Sequence, residues 1–235
     1  MNIGPHELIL GDAAEAMPSM EINAVITDPP YSARTHKGHD AAAIGGRESI
    51  SYSAWGPDDV ARFVPMMCAA ASGWVVIMTD HVLAPSILSA MIAAGRYAFA
   101  PLPYFAPGSR VRLAGDGPSC WTIWLCVART TAQVHWGTLP GGYMAKPGWR
   151  DREYIGGKPL GLMQEIVRDY TAPGDTVLDP FMGSGTTGAA CIRQGRRFVG
   201  IERDPIAFEL ARSRIESEYR GVPFKGNEPT LGLFP

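Results

Sequence analysis

TVLDPFMGSGTTG, residues 176–188, carries an apolar run straight into a cluster of glycines. TVLD (176–179) reads as a buried strand, and GSGTTG (183–188) satisfies G-x-G-x-x-G at the mouth of a helix that runs to Gly195. FVGIE (198–202) reads as the next strand and ends on Glu202, about 20 residues past the glycines. Strand, glycine turn, helix, strand and terminal acid make the unit from which doubly wound α/β folds are built. A tight turn that merely needs small residues is the competing reading. The strand context and the acidic residue favour a cofactor site over it.

The ligand class follows from the neighbours of the glycines. No lysine follows them, which excludes a P-loop. A dinucleotide sets its pyrophosphate on the helix N-terminus, where anions are favoured. Asp179 stands just before the glycines and is poor company for such a group. Asp179, Glu202 and Asp12 instead suit a ligand with a cationic amino group, two ribose hydroxyls and an adenine amine. S-adenosylmethionine has that profile, and its sulfonium is cationic as well.

The rest of the chain alternates in the same way. LIL (8–10), AVIT (24–27), WVVIM (74–78), YAFAPLPYF (97–105) and CWTIWLCVA (120–128) read as further strands, which brings the count to seven. Helices are expected over 57–72, 84–95, 159–170 and from Asp204 to about Tyr219, with proline in first turns and glycine at stops. Near-continuous apolar strands between helices imply a doubly wound, mainly parallel sheet covered on both faces. Ligands in such folds bind at the carboxyl ends of strands, and Asp12, Asp28, Asp179 and Glu202 all fall there. Residues 32–54 lack a sustained period and read as a long loop, a length that is usually functional or mobile.

Composition sets outer bounds. With 46% hydrophobic and 19% charged residues among 235, the chain can form one sizeable core and is not globally disordered. No apolar run reaches the roughly 18 residues of a membrane span, and the N-terminal stretch lacks the pattern of a signal peptide. Cys68, Cys120, Cys126 and Cys191 form no CxxC pair, so no metal site is expected and the thiols read as reduced, in a cytoplasmic protein. Net charge is −2, yet basic residues gather within 34–47 and 146–158. Such patches can serve phosphates on a nearly neutral protein.

ITDPPYS (26–32) ends the second long strand with a carboxylate, two prolines and a tyrosine. TDPPY (27–31) and VLDPFMGSGTT (177–187) together resemble the catalytic and cofactor motifs of bacterial and phage DNA amino-methyltransferases, which methylate adenine N6 or cytosine N4. The resemblance covers nearly the whole chain, taking in LILGDA, GGKPLGLMQEIVRDYTAPGDTVLDPF and GRRFVGIERD. DPPY precedes the glycine loop, as in the circularly permuted β group. The resemblance implies a single Rossmann-like S-adenosylmethionine-dependent domain over 1–235, with the strand of Asp179 beside that of Asp28. It further implies that Glu202 holds the ribose hydroxyls, that Asp12 contacts the adenine amine, and that Asp179, Pro180, Phe181, Gly183 and Gly185 line the site. Lys158, Ser184 and Thr186 fall where the methionine end is held.

The chemistry asked of Asp-Pro-Pro-Tyr is specific. An aromatic amine is a poor nucleophile because its lone pair is delocalised into the ring. Strong acceptors on both amine hydrogens localise that pair on nitrogen. The Asp28 carboxylate is one acceptor. The carbonyl of Pro29 is the other, since proline has a fixed φ and no competing N–H; Pro30 completes the rigid turn. A base inside a duplex cannot reach such a pocket, so it is flipped out and stacked on Tyr31.

DNA contacts are expected from the loops: Arg34, His36, Lys37 and Arg47 after the motif, Arg110 and Arg112 between two strands, and Lys146, Trp149, Arg150 and Arg152 in residues 130–157. That last segment stands where the permuted family places its target-recognition insert and is shorter than usual. Either a short or degenerate site in double-stranded DNA is read, or a homodimer completes the reading surface. Within the family this chain resembles, aspartate rather than serine before Pro-Pro-Tyr tilts toward adenine. Cytosine N4, an RNA or protein amide, and an inactive DNA-binding homologue are the alternatives. A cognate restriction endonuclease, a solitary regulatory role and phage self-protection all stay open.

Overall fold

One mixed sheet organises the computed structural model, which describes residues 1–17, 22–35, 53–106, 113–114, 117–118, 123–131, 137–146 and 157–224. Its strands are β1 (Asn2–Ile3), β2 (His6–Leu10), β3 (Ala24–Thr27), β4 (Val75–Thr79), β5 (Tyr97–Ala98), β6 (Leu102–Phe105), β9 (Ile123–Arg129), β10 (Tyr143–Met144), β11 (Thr176–Asp179) and β12 (Arg197–Glu202), while β7 (Leu113–Ala114) and β8 (Gly117–Pro118) pair separately. The helices are α1 (Ala13–Ala16), α2 (Pro57–Ala70), α3 (Ala84–Ala93), α4 (Leu160–Tyr170), α5 (Thr186–Arg193) and α6 (Pro205–Arg220).

The sheet runs β1-β2-β12-β11-β3-β4-β9-β6-β10, with β5 also pairing β9. From β2 to β4 every pairing is parallel. β9 is antiparallel to β4, β5 and β6, as often happens toward the edge of a doubly wound sheet. β11 pairs β3 with Leu178 opposite Val25. Strands some 150 residues apart in the chain are thus neighbours, as the permuted motif order requires.

Two cores follow from the pleat. Alternate residues of a strand face opposite sides, so Val25, Val75 and Ile77 join one apolar cluster while Ile26, Val76 and Met78 join the other. α2 meets the first through Val60, Phe63, Val64 and Met67, a helical stripe. α4 meets the second through Leu162, Met163, Ile166, Val167 and Tyr170. Every residue of β4 is buried, and fully burying each large apolar side chain stabilises by about 1.5–3 kcal/mol.

All seven expected strands are present, with adjustments. The run 97–105 divides into β5 and β6 because Pro101 has no N–H to offer the ladder. β1 adds a short antiparallel edge on β2. β10 lies inside the segment read as an insert and pairs parallel with β6. α1 was not expected; it exists because the Asp12 carboxylate caps it, accepting from the Ala14 amide at 2.8 Å. Cys68, Cys126 and Cys191 are free and buried, and burial pushes the first two thiols up to about 11 and about 12. Among the described residues no helix is long and apolar enough to cross a membrane. Most of the loop 32–54 (residues 36–52), parts of the segment 130–157 (132–136 and 147–156) and Cys120 lie outside the described residues.

Candidate active site

The carboxyl ends of β2, β12, β11, β3 and β4 lie in order along one edge of the sheet, and Asp12, Glu202, Asp179, Asp28 and Asp80 stand at or just past them. Each acid is held by a different set of donors, so each does different work.

Asp179 is 2% exposed. Its Oδ1 accepts from the Thr27 hydroxyl at 2.6 Å and the Phe181 amide at 3.1 Å, and its Oδ2 from the Thr187 hydroxyl at 2.6 Å. Burial is the largest influence and raises its pKa to about 6, against the opposing hydrogen bonds of Thr187, Thr27 and Phe181. The carboxylate ties three segments together: its own strand, the start of α5, and the residue just before Asp28. Pro180, buried beside it, carries the chain into the glycine turn.

In that turn Gly183 and Gly185 have φ of 51° and 77°, values other residues adopt only at a cost. A Cβ on Gly185 would come within 3.0 Å of Ala211 in α6. A Cβ on Gly188 would meet Ile215 at 2.6 Å and Phe198 at 2.8 Å. The second and third glycines therefore serve close helix packing. A Cβ on Gly183 meets nothing within 4 Å, so the first faces open space. Its amide donates to Glu202 Oε2 at 2.9 Å, while the Asp204 amide donates to Oε1 at 2.9 Å. Two of about four acceptor positions on Glu202 are filled, which orients the group and leaves capacity for hydroxyls. The Glu202 carbonyl accepts from the Gly11 amide at 2.9 Å, which sets Asp12 beside it.

Ser184 and Thr186 turn the other way. Both are buried and engaged by Arg214 of α6, whose Nη1 donates to Thr186 Oγ1 at 2.6 Å and to Ser184 Oγ at 3.4 Å. Their hydroxyls brace the loop from behind. Lys158, expected at the methionine end with them, sends its ammonium to Asp28 Oδ2.

Asp28 accepts from the Tyr31 hydroxyl on Oδ1 at 2.8 Å as well, and the Lys158 Nζ stands 5.0 Å from the centre of the Tyr31 ring. Pro29 is buried, and Pro30 is half-buried. The four residues of the motif thus form a compact segment after β3 whose carboxylate is only partly covered.

Sequence reading missed two supports of this segment. Asp80, 2% exposed, accepts from the Ser32 amide and hydroxyl at 3.0 and 2.5 Å, the Thr35 hydroxyl at 2.6 Å, and the Val82 and Leu83 amides at 3.0 and 3.1 Å. Its place after β4 is the same strand-end signal that singled out the other acids. Trp55 donates its amide to the Tyr31 carbonyl at 3.0 Å, stacks on Phe63, and meets Phe181 edge-on at 5.2 Å. Phe181 thereby packs the glycine turn against the chain that follows the motif.

Of the expected DNA contacts, Arg34 is exposed just beyond the motif, and Lys146 pairs with Glu165 of α4. His36, Lys37, Arg47, Arg110, Arg112, Trp149, Arg150 and Arg152 lie outside the described residues.

Residues 116–213 match the family model described as DNA methylase. The type II methyltransferase M2.DpnII of Streptococcus pneumoniae is 48% identical over 61 residues, which is 26% of this chain and 23% of that protein. The type II methyltransferase M.BglI of Bacillus subtilis is 46% identical over 61 residues, 26% of this chain and 18% of its own. Each match spans less than a quarter of the relative's length. The M1.HpyAVI–SAM complex superposes with a TM-score of 0.64 at 24% identity, covering 89% of this chain and 98% of that one. TTHA0409 of Thermus thermophilus, complexed with S-adenosyl-L-methionine, gives 0.66 at 23% identity over 92% and 95% of the two chains. The cytosine-N4-specific PvuII DNA methyltransferase gives 0.65 at 17% over 93% and 95%. At these identities the likeness shows the fold. With motifs and matched segment in agreement, the resemblance to the DNA amino-methyltransferases is borne out, and residues 116–213 are similar to the DNA methylase family.

Proposed function

We propose that this chain transfers a methyl group from S-adenosylmethionine to the N6 amine of adenine in double-stranded DNA, after the base is extruded from the helix. The observation that carries the reading is the pairing of β3 with β11. It sets the Asp28 segment and the glycine turn side by side at one sheet edge, joined by the Thr27–Asp179 hydrogen bond.

The residues fit the cofactor. Gly183 faces open space, and Glu202 is oriented with acceptor capacity left for ribose hydroxyls. Asp12 stands at the neighbouring strand end for an adenine amine. When bound, S-adenosylmethionine supplies an electrophilic methyl group on a sulfonium. Asp28 and the Pro29 carbonyl accept the two hydrogens of the target amine and localise its lone pair on nitrogen. Tyr31 stacks on the extruded ring. Positioning and preorganised acceptors carry the rate, because neither has to reorganise as charge develops.

Mass spectrometry of nucleosides from DNA treated with protein and S-adenosylmethionine tests this. N6-methyladenine is the expected product. N4-methylcytosine alone refutes the adenine assignment, and the absence of any methylated nucleoside refutes the function.

A further inference from the structure

Asp28 already has a donor on each oxygen: the Tyr31 hydroxyl on Oδ1 and the Lys158 ammonium on Oδ2. Resting on the function proposed above, we infer that the site works by donor exchange. The target amine takes over the Oδ1 position from the Tyr31 hydroxyl, while Lys158 stays on Oδ2 as a positioning residue.

The two donors differ in how readily they leave. Tyr31 offers a neutral hydroxyl three residues from Asp28. The Lys158 contact is charge-assisted, and such bonds are roughly twice as strong as neutral ones. Lys158 is also the better anchored: its side chain is 11% exposed, and Pro159 follows it with φ of −57° at the cap of α4. That helix is fixed by five buried residues on the far face of the sheet. An entering base therefore displaces the hydroxyl and not the ammonium.

The exchange suits the second task of Tyr31. While its hydroxyl rests on Oδ1, the ring stands beside Lys158. Once the amine replaces the hydroxyl, the ring is released to stack on the base. One event thus fills the acceptor and frees the stacking face. Lys158 holds the carboxylate in one orientation throughout, so that Oδ1 presents the same lone pair to hydroxyl and to amine. Its position at the start of α4 explains why a residue distant in sequence from the motif is needed there.

Three variants test the inference. Tyr31→Phe keeps the ring and removes the competing donor, so DNA binding measured by fluorescence anisotropy tightens by about threefold. Lys158→Met lowers kcat by about tenfold or more while the KM for DNA and the calorimetric affinity for S-adenosylmethionine stay within about threefold. Lys158→Arg restores most of that loss, which a purely structural role would not allow given the different shape of the guanidinium. Weaker DNA binding by Tyr31→Phe, unchanged kcat in Lys158→Met, or loss of cofactor affinity in Lys158→Met overturns the exchange. Carbon-13 NMR of the Asp28 carboxyl reads the two contacts without turnover. A signal that moves in both variants supports the arrangement, and one that moves in neither overturns it even where DNA is methylated. Wild-type protein that methylates no DNA would instead refute the function itself.

Discussion

Asp28 and Asp80 end neighbouring strands, β3 and β4, and meet opposite surroundings. Asp28 keeps a partly exposed carboxylate with two side-chain donors. Asp80 is buried under donors from the Ser32–Thr35 turn and the Val82–Leu83 backbone. Burial alone would raise its pKa; the hydrogen bonds of Ser32, Thr35 and Leu83 outweigh that and hold it below the usual carboxylate value. Its stabilising contribution is therefore full at neutral pH and is lost as pH falls below about 4. Asp80→Asn should destabilise the protein by about 1–3 kcal/mol, because an amide N–H then faces donors. Chemical denaturation at pH 7 measures this, and an unchanged midpoint contradicts it. DPPY could be singled out in the sequence because its four residues are adjacent. Asp80 carries the same strand-end signal as the other acids, but its bracing role was not legible, because the hydroxyls that define it come from a turn nearly fifty residues away. Lys158 was legible as a site residue. Its partner was not, since the contact spans 130 positions.

At the scale of elements, the turn from β11 into α5 holds the site together. Gly185→Ala forces φ of 77° on a residue with a Cβ and presses that Cβ to 3.0 Å from Ala211. The expected loss is about 1–3 kcal/mol, read as a drop in Tm. Asp179 makes the same turn sensitive to pH. Its pKa is raised to about 6, so the folded state holds its proton more tightly than the unfolded chain. Stability from this group falls as pH rises from about 4 through about 6 and is level above. Asp179→Asn removes that dependence. Its Tm relative to wild type should therefore rise by at least about 3 °C between pH 4.5 and pH 7; a constant difference contradicts the assignment. The glycine spacing revealed this element in the sequence because the turn is local. The bracing of Ser184 and Thr186 by Arg214 was hidden, since α6 carries no pattern that points one arginine at a loop.

For the whole molecule, alternating strands and helices announced the doubly wound sheet, and motif order foretold β11 beside β3. Strand direction at the far edge was not legible. Antiparallel β9 looks like any apolar run, and β10 has two residues only. With a net charge of −2, binding of the proposed DNA substrate would fall to local basic groups. If the short segment 130–157 is what reads the target, few base edges are within its reach, and mapping of methylated bases should give a consensus of about five base pairs or fewer. A longer consensus would require a second protomer to complete the reading surface. The proposed function rests above all on Asp28, at the edge shared with the glycine turn, as the acceptor for the target amine. Its most direct test is transfer of labelled methyl groups to unmethylated DNA by wild type and Asp28→Ala, with S-adenosylmethionine binding measured on the same samples. Retained cofactor binding with methyl transfer to adenine N6 abolished is expected of the variant; unchanged turnover by Asp28→Ala would contradict the role of Asp28.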